Sequence, residues 1–175
     1  MIYLKSKKQL AKDKKQLEVG YNLYMLDIHL ANACNLMCYG CNHWSNYGFQ
    51  EIFDRKTLKD WATPWASRLM PERVNLLGGE PLLNKETEQI VSDYAKLFPK
   101  SKLKLFTNGF LLSKNLQLKD VLKKTDTSLI ITLHSREKRY LKKLKKEILS
   151  LNDWGSTSHK KKTWFRTVYD IGELR

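Results

Sequence analysis

The chain has 175 residues, 42% of them hydrophobic and 11% aromatic, with a formal net charge of +14. That size and composition suit one globular domain with a real core and exclude intrinsic disorder. No apolar run reaches the length of a membrane span, and the N-terminus is too polar after Leu4 for a secretory signal, so the expected setting is the reducing cytoplasm.

Elements follow in chain order. Residues 1–20 read as a basic extension and 21–175 as the folded core. The stretch 23–31, "LYMLDIHLA", is apolar and turn-bounded and predicts a strand ending just before Cys34. Over 53–70, Asp54 is the expected N-cap, and Leu58, Trp61, Trp65 and Leu69 recur at helical spacing, with Pro64 as a candidate kink. "RVNLLGG" (73–79) predicts a buried strand stopped by two glycines. A helix is expected over 84–98, capped by Asn84, with Ile90, Val91, Tyr94 and Leu97 on one face. Strand 102–109, helix 112–124, strand 128–135 and helix 137–151 repeat the alternation, and 162–171 offers a fifth strand. Such alternation implies an α/β fold with a parallel sheet.

Lysine runs at 5–15, 136–146 and 159–162 supply much of the charge. They read better as solvated helix faces than as a nucleic-acid footprint, because no stacking-aromatic or recognition-helix motif accompanies them.

Every cysteine in the chain lies in "CNLMCYGC", as Cys34, Cys38 and Cys41. An odd number in one tight cluster does not make a disulfide framework. Three thiolates at this spacing suit one compact metal centre. His43 offers a fourth ligand for a structural zinc. The other solution is a 4Fe-4S cluster on three cysteines, which leaves one iron without a protein ligand.

The cysteine loop resembles the cluster loop of the radical S-adenosylmethionine (radical SAM) superfamily. "LLGGEPLL" (76–83) is similar to that superfamily's GGE element, and "LFTNG" (105–109) and "LHS" (133–135) end the next two strands. The resemblance spans residues 23–150. It implies a partial (β/α) barrel of about four to five units, open on one side, whose site residues gather at the C-terminal strand ends. It implies Cys34, Cys38 and Cys41 as cluster ligands, and Gly78, Gly79 and Glu80 near the methionine amino group of the cofactor. Asn108 is either a site residue or part of an Asn-Gly turn. Ser135 is the candidate for the ribose hydroxyls, and Arg136 or Arg139 for the cofactor carboxylate. The family favours a bulky residue directly before the third cysteine; here Gly40 stands there, with Tyr39 one place earlier as the candidate on the adenine side. His29, Asn32, Asn35, Asn42, His43 and His134 crowd the same region.

The activity the resemblance implies is reductive cleavage of S-adenosylmethionine to methionine and a 5′-deoxyadenosyl radical, which takes hydrogen from a substrate. An electron donor of the flavodoxin or ferredoxin type is implied as partner. An incomplete barrel leaves a free strand edge, for which a protein partner or a second copy is the expected cover. Two other readings stay open: a relative that binds cluster and cofactor but is inactive without a missing half, and a basic, zinc-bound nucleic-acid module.

Overall fold

The computed structural model describes residues 20–150 and the backbone of Thr163–Thr167. Five strands, β1 (Tyr21–Ala31), β2 (Leu69–Gly78), β3 (Lys102–Thr107), β4 (Ser128–Leu133) and β5 (Thr163–Thr167), lie in the sheet in chain order. All neighbours are parallel. Four helices alternate with them: α1 (Arg55–Ala66), α2 (Thr87–Leu97), α3 (Leu118–Lys124) and α4 (Lys138–Leu149). β1 and β5 are not joined, so the sheet stays open as expected. Parallel neighbours need crossovers, and the helices supply them. The expected basic extension, residues 1–19, lies outside the described residues, as do the side chains of β5.

One face of each of β1 to β4 feeds the core. Leu30, Val74, Leu76, Leu103, Leu105, Leu129 and Ile131 pack against Leu58, Ile90, Val91, Tyr94, Leu118, Leu122 and Leu144 of the helices. This is period-two alternation on the strands meeting helical stripes. Asp54 caps α1 as expected, accepting from the backbone N–H of Thr57 at 2.9 Å. α1 and α2 are tied together twice. Arg55 grips Asp93 bidentately at 2.7 and 3.0 Å, and the Tyr94 hydroxyl donates to the Leu58 carbonyl at 2.9 Å.

Several boundaries differ from expectation. α1 ends at Ala66, and Leu69 opens β2 instead of closing the helix. Pro64 does not split α1, which runs from Arg55 to Ala66 with the proline inside it, two residues from its end. Trp61 and Trp65 lie on the rim, 59% and 49% exposed, because Leu58 and Ala62 form the buried stripe. Glu86, not Asn84, is the N-cap of α2, but Asn84 Oδ1 accepts from Glu86 N–H at 2.9 Å while its amide donates to the carbonyls of Leu30 and Phe53 at 3.1 and 2.7 Å. The expected helix 112–124 is a 3₁₀ turn at Leu112–Lys114 followed by α3. Asn115 breaks it, its side chain donating back to the Leu111 carbonyl at 2.8 Å.

Candidate functional site

The C-terminal ends of β1 to β4 point to one rim. The cysteine loop leaves β1 there, and β2 meets it through two glycines. Gly79 N–H donates to the Ala31 carbonyl at 2.7 Å, and Glu80 N–H to the Ala33 carbonyl at 2.8 Å. These bonds carry the β1–β2 pairing into the loop, just before Cys34. A Cβ on Gly78 would strike the Ala31 carbonyl oxygen, and one on Gly79 the carbonyl oxygens of Ala33 and Asn32. The close approach that the glycines permit is therefore to the cysteine loop itself.

Glu80 is fully buried. Its Oε1 accepts from Leu82 N–H at 3.0 Å and from the Thr107 hydroxyl at 2.7 Å, and Oε2 accepts from Asn108 N–H at 2.8 Å. One carboxylate thus joins the ends of β2 and β3. Burial raises its pKa, against the pull of the three donors. Asn108 is both turn and site residue. Its Oδ1 accepts from Phe110 N–H at 3.0 Å, closing the turn. Its Nδ2 donates to Asn35 Oδ1 at 2.7 Å and reaches Cys34 Sγ at 4.0 Å.

Cys34, Cys38 and Cys41 form no disulfide and are half-buried. Burial pushes the Cys34 thiol up, while Leu36 N–H, 3.4 Å from its sulfur, pulls it down. Cys38 Sγ lies 3.7 Å from His134 Nδ1. The His134 backbone N–H donates to the Tyr140 hydroxyl at 3.1 Å, and Tyr140 meets Phe110 edge to face at 4.9 Å. Ser135 Oγ accepts from Glu137 N–H at 3.1 Å, at the approach to α4. Arg136 and Tyr39 lie on the surface. His43 packs edge-on against His29 at 4.9 Å, and its pKa is lowered by burial first and then by His29.

Among the described residues, no three His, Cys, Asp or Glu side chains converge on a single ion. The zinc arrangement with His43 therefore has no support. An iron-sulfur cube places its thiolates on separate irons, which three thiols spread along one loop can satisfy. Backbone and amide N–H groups directed at Cys34 sulfur are the donors that a cluster thiolate takes. The donor set fits a 4Fe-4S cluster.

A family model, the radical SAM superfamily, matches residues 28–151. The chain belongs to this superfamily. Radical SAM proteins bind a 4Fe-4S cluster and S-adenosylmethionine and draw an electron from a reductant. Two curated relatives are GTP 3′,8-cyclases. The one from Aquifex aeolicus is 31% identical over 99 residues, covering 54% of this chain and 31% of its own. The one from Microcystis aeruginosa is 35% identical over 91 residues, covering 50% and 28%. The chain thus spans about a third of the length of these relatives. Among solved structures, BtrN in complex with AdoMet and 2-DOIA matches with a TM-score of 0.60 at 19% identity, over 87% of this chain and 59% of that one. Native anSMEcpe with bound AdoMet and Cp18Cys peptide matches at 0.56 and 16%, over 82% and 42%. These likenesses establish the radical SAM partial barrel as the fold. Among the described residues no helix is long and apolar enough to cross a membrane.

Sequence reasoning underrated three residues of this rim. Thr107 looked like the last residue of a strand, yet its hydroxyl holds Glu80. Tyr140 looked like part of a helix stripe, yet its hydroxyl secures the backbone beside His134. Asn35 sat in a polar crowd with no assigned partner. Each acts through a contact distant in sequence, and nothing in the local pattern marks it.

Proposed function

We propose that this chain is a radical SAM enzyme in which Cys34, Cys38 and Cys41 hold the 4Fe-4S cluster and one iron is left for S-adenosylmethionine. The observation that carries the reading is the junction at the strand ends: the thiol loop is bonded to Gly79 and Glu80 and watched by Asn108. When bound, the cluster supplies one electron to the sulfonium, whose C–S bond breaks to give methionine and a 5′-deoxyadenosyl radical. Gly78 and Gly79 let the loop close on β2, and Glu80 fixes the relative positions of the β2 and β3 ends. Glu80 acts by positioning, because its carboxylate is spent on the chain. Asn108 and Leu36 N–H hold the Cys34 sulfur and tune the cluster. Ser135 and Arg136 stand at the β4 end, within the region assigned to the ribose and carboxylate of the cofactor, and Tyr39 at the loop's outer side.

The substrate is a protein, peptide or nucleotide. Relatives named as GTP 3′,8-cyclases favour the nucleotide. The electron comes from a flavodoxin- or ferredoxin-type partner, and the setting is the cytoplasm. A second reading has one specific support, the open sheet, in which β1 and β5 are not joined among the described residues: the chain binds cluster and cofactor but needs a partner or a second copy for turnover.

Anaerobic reconstitution tests both. The wild-type chain is expected to take up about four irons and four sulfides and to release 5′-deoxyadenosine under dithionite. Replacing any one of Cys34, Cys38 and Cys41 by Ala should abolish both. Zinc without sulfide would defeat the proposal. A full cluster with no deoxyadenosine until a partner is added would select the second reading.

A further inference from the structure

Beside the cysteine loop lies a hollow of about 610 Å³, within the range of small-ligand sites. Asn32, His43, Trp44, Tyr47, Phe49 and Glu51 line it. Trp44, Tyr47 and Phe49 are 61%, 70% and 52% exposed, so three aromatic surfaces stand in water at one place. Scattered apolar side chains need no explanation, but a contiguous aromatic hollow does. The geometry is also held at a cost. Trp44 has φ 60° and ψ 12°, a left-handed conformation that a bulky residue adopts only when its surroundings impose it. Its N–H donates to the Cys41 carbonyl at 3.2 Å, and its carbonyl accepts from Tyr47 N–H at 3.0 Å. The two rings then face each other at 5.7 Å with a 31° tilt.

Glu51 supplies the one formal charge in the lining. Its Oε2 accepts from Asn32 Nδ2 at 2.6 Å, and its carbonyl accepts from the N–H groups of Asn32 and Ala33 at 2.9 and 3.2 Å. The carboxylate is thereby held by one of its two oxygens. Among the described residues no lysine or arginine lines this hollow. A phosphate or carboxylate would find no cation there. A cation would find aromatic faces and a held carboxylate, the two groups that attract it.

We propose that this hollow binds the guanidinium or ammonium group of a basic side chain, presented by a peptide that lies along the outer edge of β1. The edge is suited to such a partner. Among the described residues β1 pairs with β2 on one side, and on the other its last residues, from Leu30 on, bond to Glu51 and Phe53 around the Ala31–Ile52 bridge. Among the described residues the main-chain groups of β1 before Leu30 have no partner on that side and suit an extended peptide, with the hollow beyond the end nearest the thiols. This inference does not depend on the cluster reading, because binding is measured without turnover.

Calorimetry on the full chain, purified under anaerobic conditions, tests it. The probes are a short acetylated, amidated peptide with one arginine and its counterpart with citrulline, which has the same shape and no charge. The arginine peptide is expected to bind at least about tenfold more tightly than the citrulline one. Glu51→Gln keeps an acceptor for Asn32 and should remove that preference. Trp44→Leu should weaken the arginine peptide by about tenfold, while Trp61→Leu on α1, outside the hollow, should leave it unchanged. Equal binding of the two peptides, no binding at millimolar concentration, or a Glu51→Gln protein that still prefers arginine would overturn the proposal. Tighter binding of spermidine than of the arginine peptide would overturn the peptide assignment. The wild-type comparison decides even if a variant fails to fold.

Discussion

Glu80 shows how one buried side chain can hold a rim together. With no exposure to water, its carboxylate satisfies three donors from two strand ends. Glu80→Gln would place an amide N–H2 against one of those donors. The expected loss is about 1–3 kcal/mol of stability, the cost of a buried group left without its partner. Urea unfolding of cluster-free protein measures it, so cofactor binding does not enter. The GGE element was legible in the sequence, and so was its place at a strand end. What was not legible was its direction. Thr107 and Asn108 are 27 and 28 residues away, and no local pattern says that a carboxylate will turn inward to them. Asn108 carries the same lesson. Asn-Gly announces a turn, and the turn is there, but the amide left over reaches Asn35 and Cys34 only because β3 lies two places from β1 in the sheet.

At the scale of elements, the strands and helices came through because their apolar periods are clean and their helix-facing residues bury together. The failures were at boundaries. Asn84 has the chemistry of a cap and its Oδ1 does accept from Glu86 N–H, but α2 starts only at Thr87, and the Asn84 amide ties this turn to the carbonyls of Leu30 and Phe53. The packing of α1 on α2 is likewise a matter of distant partners. Arg55 opens α1 and Asp93 is buried on α2, and their bidentate bond holds the Asp93 carboxyl below its ordinary range. The folded chain therefore takes up that proton less readily than the unfolded chain. The bond's stabilisation is complete above the ordinary carboxylate range and is given up as pH falls through the lower folded value. Arg55 is 41% exposed, so water screens the pair and the effect is smaller than for a buried one. Asp93→Asn is expected to lower stability at neutral pH and to flatten its decline in acid. Denaturation midpoints across pH 2–7 would test this; an unchanged slope below pH 4 would contradict it.

For the molecule as a whole, one contiguous core runs beneath the parallel strands β1 to β4. Leu76, fully buried in β2, is central to it. Leu76→Ala is expected to cost about 2–5 kcal/mol. Because the cluster of core residues is continuous, tryptophan fluorescence and far-ultraviolet circular dichroism should report one shared midpoint, and two separate transitions would argue against a single cooperative unit. The thiol-bearing segment has no scaffold of its own within this body. It hangs from β1 and is clasped by the backbone of Gly79 and Glu80 and by the Asn108 amide. Peel the outermost strand away and the three sulfurs scatter with it. Whatever gathers those sulfurs rivets the margin of the sheet in return, so occupancy and architecture stand or fall together.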